Sequence, residues 1–193
     1  MIVGIVLAAG QATRFGGPKV LARVHGIELV RHVVDRLVGA GAAIVLVTAA
    51  PDQVDAIRAA VAGAPAEVVP APGAEAGLSA SLRAAVEALP EGCTGFVVAL
   101  GDQPFIDPGL VRRLRETWDT SNAAAVVPVY RDGVRGNPVF FDVTMKRRLR
   151  ELSGDAGARD LLKAMGDRVV EVPVDTDAPR DVDTPGDLAQ LGG

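Results

Sequence analysis

The sequence predicts an α/β fold: a mostly parallel, twisted sheet with helices on both faces. Three observations carry this expectation. Short apolar runs alternate with amphipathic stretches up to about Tyr130. The runs are apolar at nearly every position, as strands buried on both faces require. The stretches between them have helical spacing and capping signals, so successive strands run parallel through right-handed crossovers.

The elements follow in order. "IVGIVLA" (residues 2–8) reads as a buried strand. Val30, Val33, Val34, Leu37 and Val38 recur at helical spacing and stop at Gly39 and Gly41. "AIVLVT" (43–48) is the next strand, and Pro51 and Asp52 open a helix through Val61. "AEVVP" is a short strand, and residues 79–89 form a helix with a serine or aspartate-like cap. "GFVVAL" (95–100) is a strand, Asp107 and Pro108 open a helix to about Trp118, and "AAAVVPV" (123–129) is a strand. Beyond Tyr130 the alternation loosens. "NPVFF" reads as a strand, 143–152 as a helix, 158–165 as a short helix, "RVVEVPV" as a strand and 184–191 as a final helix.

A length of 193 residues suits one domain, and no linker, repeat or low-complexity tract divides it. With 49% hydrophobic but only 4% aromatic residues, the core is mostly Val, Leu, Ile and Ala. A net charge of −4 argues against nucleic acid, whose binding needs clustered excess Lys and Arg. Cys93 stands alone, so no internal disulfide forms, which fits a reducing compartment. No apolar run approaches the roughly 20 residues of a membrane span. No basic segment precedes the first strand. The expectation is a soluble, cytoplasmic protein without a membrane partner. Trp118 reads as core or half-buried, and His25 and His32 as structural. The basic runs Arg112, Arg113, Arg115 and 146–150 read as solvated helix faces.

The stretch after the first strand, "LAAGQATRFGGPK", is rich in glycine, cationic at Arg14 and Lys19, and free of acids. In an open parallel sheet, ligands bind beyond the carboxyl ends of the strands. Glycines let backbone N–H groups approach an anion. Arg14 offers a planar fork and Lys19 a mobile point charge. The loop suits phosphates, although an ordinary surface loop has the same composition. It matches neither G-x-x-x-x-G-K-[ST] nor G-x-G-x-x-G. Asp102 in "GDQP" also lies at a strand's carboxyl end, where a carboxylate beside phosphates calls for a cation such as Mg²⁺. The alternative is a turn-forming aspartate. In "RDVDTPGDL", Asp181 and Asp183 precede a helix capped by Thr184 with Pro185 first. They either cap it or complete a metal site.

"LAAGQATRFGGPK", "GDQP", "GNPVFF", "GDAGAR" and "DVDTPGDL" together resemble the molybdenum cofactor cytidylyltransferases, over nearly the whole chain. That resemblance implies a three-layer Rossmann-like fold of the nucleotide-diphospho-sugar transferase kind. It also implies one domain over 1–193, with a nucleotide-binding half (1–129) and an acceptor-binding half (130–193). The implied reaction is CMP transfer from CTP to the phosphate of molybdopterin, with Mg²⁺ as cofactor and release of pyrophosphate. Leu7, Ala8, Ala9, Gly10 and Gly16 would wrap the nucleotide. Arg14 and Lys19 would hold the triphosphate, with Asp102 as the third catalytic residue. Asp102 and Asp183 would bind metal, with Asp181 the alternative to Asp183. Gly77, Ser79 and Ser81 would line the base and ribose. Gly136, Asn137, Asp155 and Arg159 would face the acceptor, although Asp155 and Arg159 also have the spacing of a plain i,i+4 pair. Ala9 stands where the guanylyl branch has glycine, which favours cytosine. Ala12 departs from the usual Gly or Ser. A recipient molybdoenzyme, or its insertion chaperone, is a further partner the resemblance implies.

The rivals are a guanylyltransferase or other NTP transferase with a different phosphorylated acceptor, and a non-catalytic cofactor-binding accessory protein. An oxidoreductase is the third, weakened by the missing glycine fingerprint.

Overall fold

The computed structural model describes residues 1–10, 15, 17–74, 77–152 and 158–190. The strands are β1 (Ile2–Leu7), β2 (Arg23–Val24), β3 (Ile27–Glu28), β4 (Ile44–Ala49), β5 (Ala66–Pro70), β6 (Gly95–Leu100), β7 (Ala125–Val129), β8 (Val139–Asp142) and β9 (Val169–Pro173). The helices are α1 (Leu29–Gly39), α2 (Val54–Ala60), α3 (Leu78–Glu87), α4 (Pro108–Asp119), α5 (Lys146–Arg150), α6 (Arg159–Ala164) and α7 (Pro185–Gln190).

A seven-stranded sheet in the order β5-β4-β1-β6-β8-β7-β9 carries the molecule, and β2 and β3 pair separately. From β1 the chain moves outward through β4 to β5, then returns to add β6 on β1's other side. Strand order therefore reverses between β1 and β6, where an open α/β sheet forms its ligand crevice. Within this sheet, among the described residues, only β8 runs antiparallel to its neighbours. Its insertion between β6 and β7 is the loosened alternation seen beyond Tyr130.

Both faces are covered, which explains the uniformly apolar strands. In β1, Ile2 and Val6 pack with α1, α2 and α4 residues such as Val33, Ile57 and Leu110. Val3 and Ile5 pack on the other face with Leu82 of α3, Leu149 of α5 and Leu162 of α6. The few aromatics reinforce the middle of the sheet: Phe96 stacks on Phe141, and Trp118 tilts onto Phe140. Among the described residues, no helix is long and apolar enough to cross a membrane.

Several expectations hold in detail. Asp107 caps α4 by accepting from the Gly109 N–H at 2.8 Å, with Pro108 first in the helix. His32 bonds the Val24 carbonyl at 2.9 Å, a structural use. Trp118 is half-buried, and its Nε1 donates to Asp142 Oδ2 at 3.3 Å.

Others need correction. The cap of α3 is Gly77 rather than a serine, with no side-chain cap bond. At φ 118° the turn into α3 is one that glycine alone adopts readily, and Ser79 and Ser81 are buried inside the helix. The helix expected over 143–152 is a 3-10 turn, Val143–Met145, followed by α5. Asp142 accepts from the Thr144 N–H at 2.9 Å and fixes that start. Not all of the basic runs are merely solvated: Arg112 donates to the Gly39 carbonyl and Arg113 to that of Pro173. The β2–β3 hairpin went unforeseen because two-residue strands carry no periodicity. It turns through His25 (φ 52°) and Gly26 (φ 80°).

Two buried contacts fix how the chain leaves β1. The Gly101 N–H donates to the Leu7 carbonyl at 3.0 Å, tying the ends of β1 and β6. The hydroxyl of the fully buried Thr48 accepts from the Ala8 N–H at 3.1 Å and donates to the Val6 carbonyl at 3.4 Å. Thr48→Val keeps the shape but orphans the Ala8 N–H. The expected loss is about 1–3 kcal/mol of unfolding free energy in urea denaturation. Unchanged stability would show that this bond does not anchor the loop.

Candidate active site

Three short segments meet beyond the carboxyl ends of β1 and β6. Lys19 opens a 3-10 turn, Lys19–Leu21, seated by the buried Val20. Asp102 follows β6 directly. Asp183 lies just before α7. The Lys19 ammonium bridges the two acids, with Nζ 2.6 Å from Asp102 Oδ2 and 2.7 Å from Asp183 Oδ1. The side chains of Lys19 and Asp102 are each 17% exposed, and that of Asp183 54%. Burial works against the charge on Lys19, but its bonds to Asp102 and then Asp183 outweigh burial. Its pKa therefore lies above the ordinary lysine value.

The segment carrying Asp183 is clamped at several points. The Val182 N–H donates to the Asp102 carbonyl at 3.1 Å. Its side chain is fully buried beside Val24 and Leu29. In extended chain, neighbours of a buried residue turn the other way, which frees Asp181 and Asp183 to face the polar cluster. Gln103, 7% exposed, donates through Nε2 to Asp181 Oδ1 at 2.7 Å. Beyond Asp183, Asp187 Oδ2 accepts from the Thr184 N–H at 2.8 Å, and Thr184 Oγ1 accepts from the Asp187 N–H at 3.2 Å. This reciprocal cap fixes the start of α7 and holds the Asp187 carboxyl below its usual range.

The donor set suits a divalent cation. Asp102 Oδ1 is buried with no hydrogen-bond partner among the described residues. It sits on a carboxylate whose other oxygen already shares a cation with Asp183. Among the described residues no group of three or more His, Cys, Asp or Glu side chains forms a complete protein cage. Two carboxylates with positions left to phosphate and water is the arrangement Mg²⁺ accepts.

Other expected residues distribute around this cluster. Ala8 and Ala9 are buried, and Ala9 packs against Ala71 and Ala74. Gly10 is exposed, with open space where a Cβ would project. Ser79 and Ser81 lie buried at the head of α3, behind Gly77. Arg14, Gly16 and Asp155 lie outside the described residues.

Gly136, Asn137 and Arg159 do come together, lining a cavity of about 730 Å³. Leu7, Leu78, Leu82 and Phe141 give it apolar walls, and Arg135, Lys163 and Glu171 stand around it. Arg135 Nε pairs with Glu171 Oε1 at 2.6 Å. Leu7 and Leu100 line the same cavity, so it reaches the strand ends from which the Lys19 cluster projects. Tyr130 fixes its polar edge: the hydroxyl donates to the Asn137 carbonyl at 2.5 Å. A Cβ on Gly136 would lie 2.7 Å from the Tyr130 ring, so glycine is required there. Burial, and then Asp107, push the Tyr130 phenol up to about 12, so it stays a donor. Thr48, Gln103, Tyr130 and Val182 were not foreseen as contributors to this region.

A family model described as the MobA-like NTP transferase domain matches residues 4–169. The crystal structure of Rv0371c from Mycobacterium tuberculosis H37Rv is similar at a TM-score of 0.86 and 34% identity, covering 98% of this chain and 96% of that one. A structure of Rv0371c in complex with manganese matches at a TM-score of 0.80 and 32% identity, over 99% and 97% of the two chains. A probable molybdenum cofactor guanylyltransferase of Thermococcus sibiricus is 29% identical over 136 residues, 68% of this chain and 64% of that protein. A 3-deoxy-manno-octulosonate cytidylyltransferase of Rhodospirillum rubrum is 34% identical over 140 residues, 69% of this chain and 54% of its own length. The match to both curated relatives thus spans less than two thirds of their length.

Asp181 makes a separable contribution. Burial pushes its pKa up, the Gln103 bond pulls it down, Asp102 and Asp183 push it up again, and Lys19 pulls it down; the net direction is upward. The folded chain therefore holds this proton to higher pH than the unfolded chain. Its stabilising effect is complete below the ordinary aspartate pKa, and it is lost as pH rises through the folded value. Asp181→Asn should leave stability at pH 7 equal or higher and flatten the fall in stability above about pH 4. Urea denaturation at several pH values measures this. Lower stability of the variant at pH 7 would contradict it.

Proposed function

The chain belongs to the MobA-like NTP transferase domain family, and from that premise we propose that it transfers CMP from CTP to the phosphate of a molybdopterin-type acceptor, releasing pyrophosphate. The observation that carries this reading is the Lys19 ammonium held between Asp102 and Asp183 at the point where strand order reverses. A cationic group and paired carboxylates beside a glycine-bearing loop suit a triphosphate with its metal.

The chemistry asks little of the protein beyond alignment and charge. An oxygen of the acceptor phosphate attacks the α-phosphorus of CTP. The bond from that phosphorus to the bridging oxygen breaks, and pyrophosphate leaves with the electron pair. The attacking oxygen is already ionised at neutral pH, so no general base is needed. His32, engaged with the Val24 carbonyl, accords with that. Leu7, Ala8, Ala9, Gly10 and Gly16 would wrap the nucleotide, and Arg14 and Lys19 would hold the triphosphate. Asp102 and Asp183 would hold Mg²⁺, whose contribution when bound is to neutralise phosphate charge. The manganese complex of the related Rv0371c supports a divalent ion here.

Gly77, Ser79 and Ser81 would meet the base and ribose. Ala9 bears on base choice through the alanines it packs against, because its own methyl is 1% exposed. Gly136, Asn137 and Arg159, with Asp155, would receive the acceptor in the cavity. This assigns nucleotide to residues 1–129 and acceptor to 130–193. A molybdoenzyme or its insertion chaperone would take the product in the cytoplasm. The naming of the Thermococcus sibiricus relative as a probable guanylyltransferase favours a second reading, with GTP as donor.

Pyrophosphate release separates these readings. Purified protein is given Mg²⁺, molybdopterin and each of the four NTPs in turn, and CTP should be turned over fastest. Faster turnover of GTP would replace the cytidylyl reading with the guanylyl one. No release with any NTP would favour an accessory protein. Asp102→Asn should fold normally and lower turnover by about two orders of magnitude or more. Near-normal turnover in that variant would remove Asp102 from the metal site.

The acceptor side has its own signature. Arg159→Ala should raise the KM for molybdopterin by roughly tenfold or more and leave the KM for CTP unchanged. If Arg159 serves only its own helix, both KM values will stay put.

A further inference from the structure

In the free protein the position between Asp102 and Asp183 is already taken by a cation. Lys19 Nζ lies within 2.7 Å of an oxygen from each carboxylate, so a divalent ion seated between those oxygens would meet the ammonium at close range. The geometry points to Lys19 as a resident counter-ion that a divalent cation replaces only when a nucleotide triphosphate draws the ammonium onto its phosphates. Metal and nucleotide are then coupled through one side chain. This inference rests on the metal and phosphate roles proposed above and adds the order in which those partners arrive.

Three features support the exchange. Two neighbouring carboxylates repel each other, and a cation between them relieves the repulsion. Lys19 therefore keeps the site assembled before any ligand arrives. The ammonium sits on a flexible four-carbon stem, while both acids sit on backbone fixed by strand end and clamp. Lysine is the member free to move. Asp102 Oδ1 stays buried without a partner among the described residues even with Lys19 in place, so the ammonium leaves that buried acceptor unused. A divalent ion with its phosphate oxygens and water has more bonds to offer that carboxylate. Until a phosphate takes it up, an ammonium displaced from these carboxylates would stand as an uncompensated positive charge beside the incoming ion.

The coupling predicts opposite changes from one substitution. Lys19→Met should weaken CTP binding and, without nucleotide, tighten Mn²⁺ binding by about tenfold or more. Lys19→Gln keeps a hydrogen-bond donor for the carboxylates without the charge, and it carries the same expectation should the methionine variant fail to fold. Electron paramagnetic resonance of free Mn²⁺ measures the metal affinity without any turnover. Adding Asp102→Asn to Lys19→Met should abolish the tightened binding. Equal Mn²⁺ affinity in wild type and the Lys19 variants, with both sensitive to Asp102→Asn, would overturn the exchange and leave the metal site standing. An Mn²⁺ affinity indifferent to Asp102→Asn would overturn the metal site, and the exchange with it.

Discussion

One constraint governs the site: two ionised carboxylates brought side by side repel each other unless a cation lies between them. Asp102 and Asp183 meet at the Lys19 ammonium. Lys19 and Asp183 are 164 positions apart in the chain, so the cluster exists only in the folded molecule. Three segments from the start, middle and end of the sequence must converge for the ammonium to meet both carboxylates. The negative charge left over makes the position suited to a metal ion, and the ammonium makes it suited to a triphosphate.

Much of the surrounding fold serves that convergence. The reversal of strand order sets the ends of β1 and β6 side by side. Thr48 and Gly101 pin the chain as it leaves β1. Val182 buries itself under the β2–β3 hairpin, and Gln103 holds Asp181 from behind. On the other side of β6 the pattern changes. The antiparallel β8 opens space for a cavity with apolar walls and a cationic edge, shaped by Tyr130 against Gly136 and Asn137. The ends of β1 and β6 and the segment before α7 hold the charge cluster, and the chain beyond Tyr130 supplies most of the cavity lining.

The sequence disclosed some of this and concealed the rest for physical reasons. Two-sided burial leaves its mark as uniformly apolar runs, so the strands of the regular half were legible. Asp107–Pro108 and Thr184–Pro185 announced their helices because capping chemistry is local. Lys19, Asp102 and Asp183 were recognisable as motif residues, but their mutual contact is a tertiary fact without a local signal. The antiparallel sense of β8 has no marker of its own beyond the loss of an intervening helix. Thr48 was visible only as the polar residue in "IVLVTA", and Gln103 as an unexplained amide beside Asp102. The serine-rich start of α3 misled because the adjacent glycine, not a hydroxyl, makes the turn. The apolar Val182 between two acids was the one written hint that Asp181 and Asp183 face the same way.

A crystal structure with Mn²⁺ and CTP tests the central claim most directly. The account predicts an anomalous peak at the carboxylates of Asp102 and Asp183, about 2.0–2.3 Å from their oxygens, completed by phosphate oxygens. It also predicts that Lys19 Nζ has left both acids for the triphosphate. A metal bound elsewhere, or a lysine still bridging Asp102 and Asp183 with nucleotide in place, would contradict it.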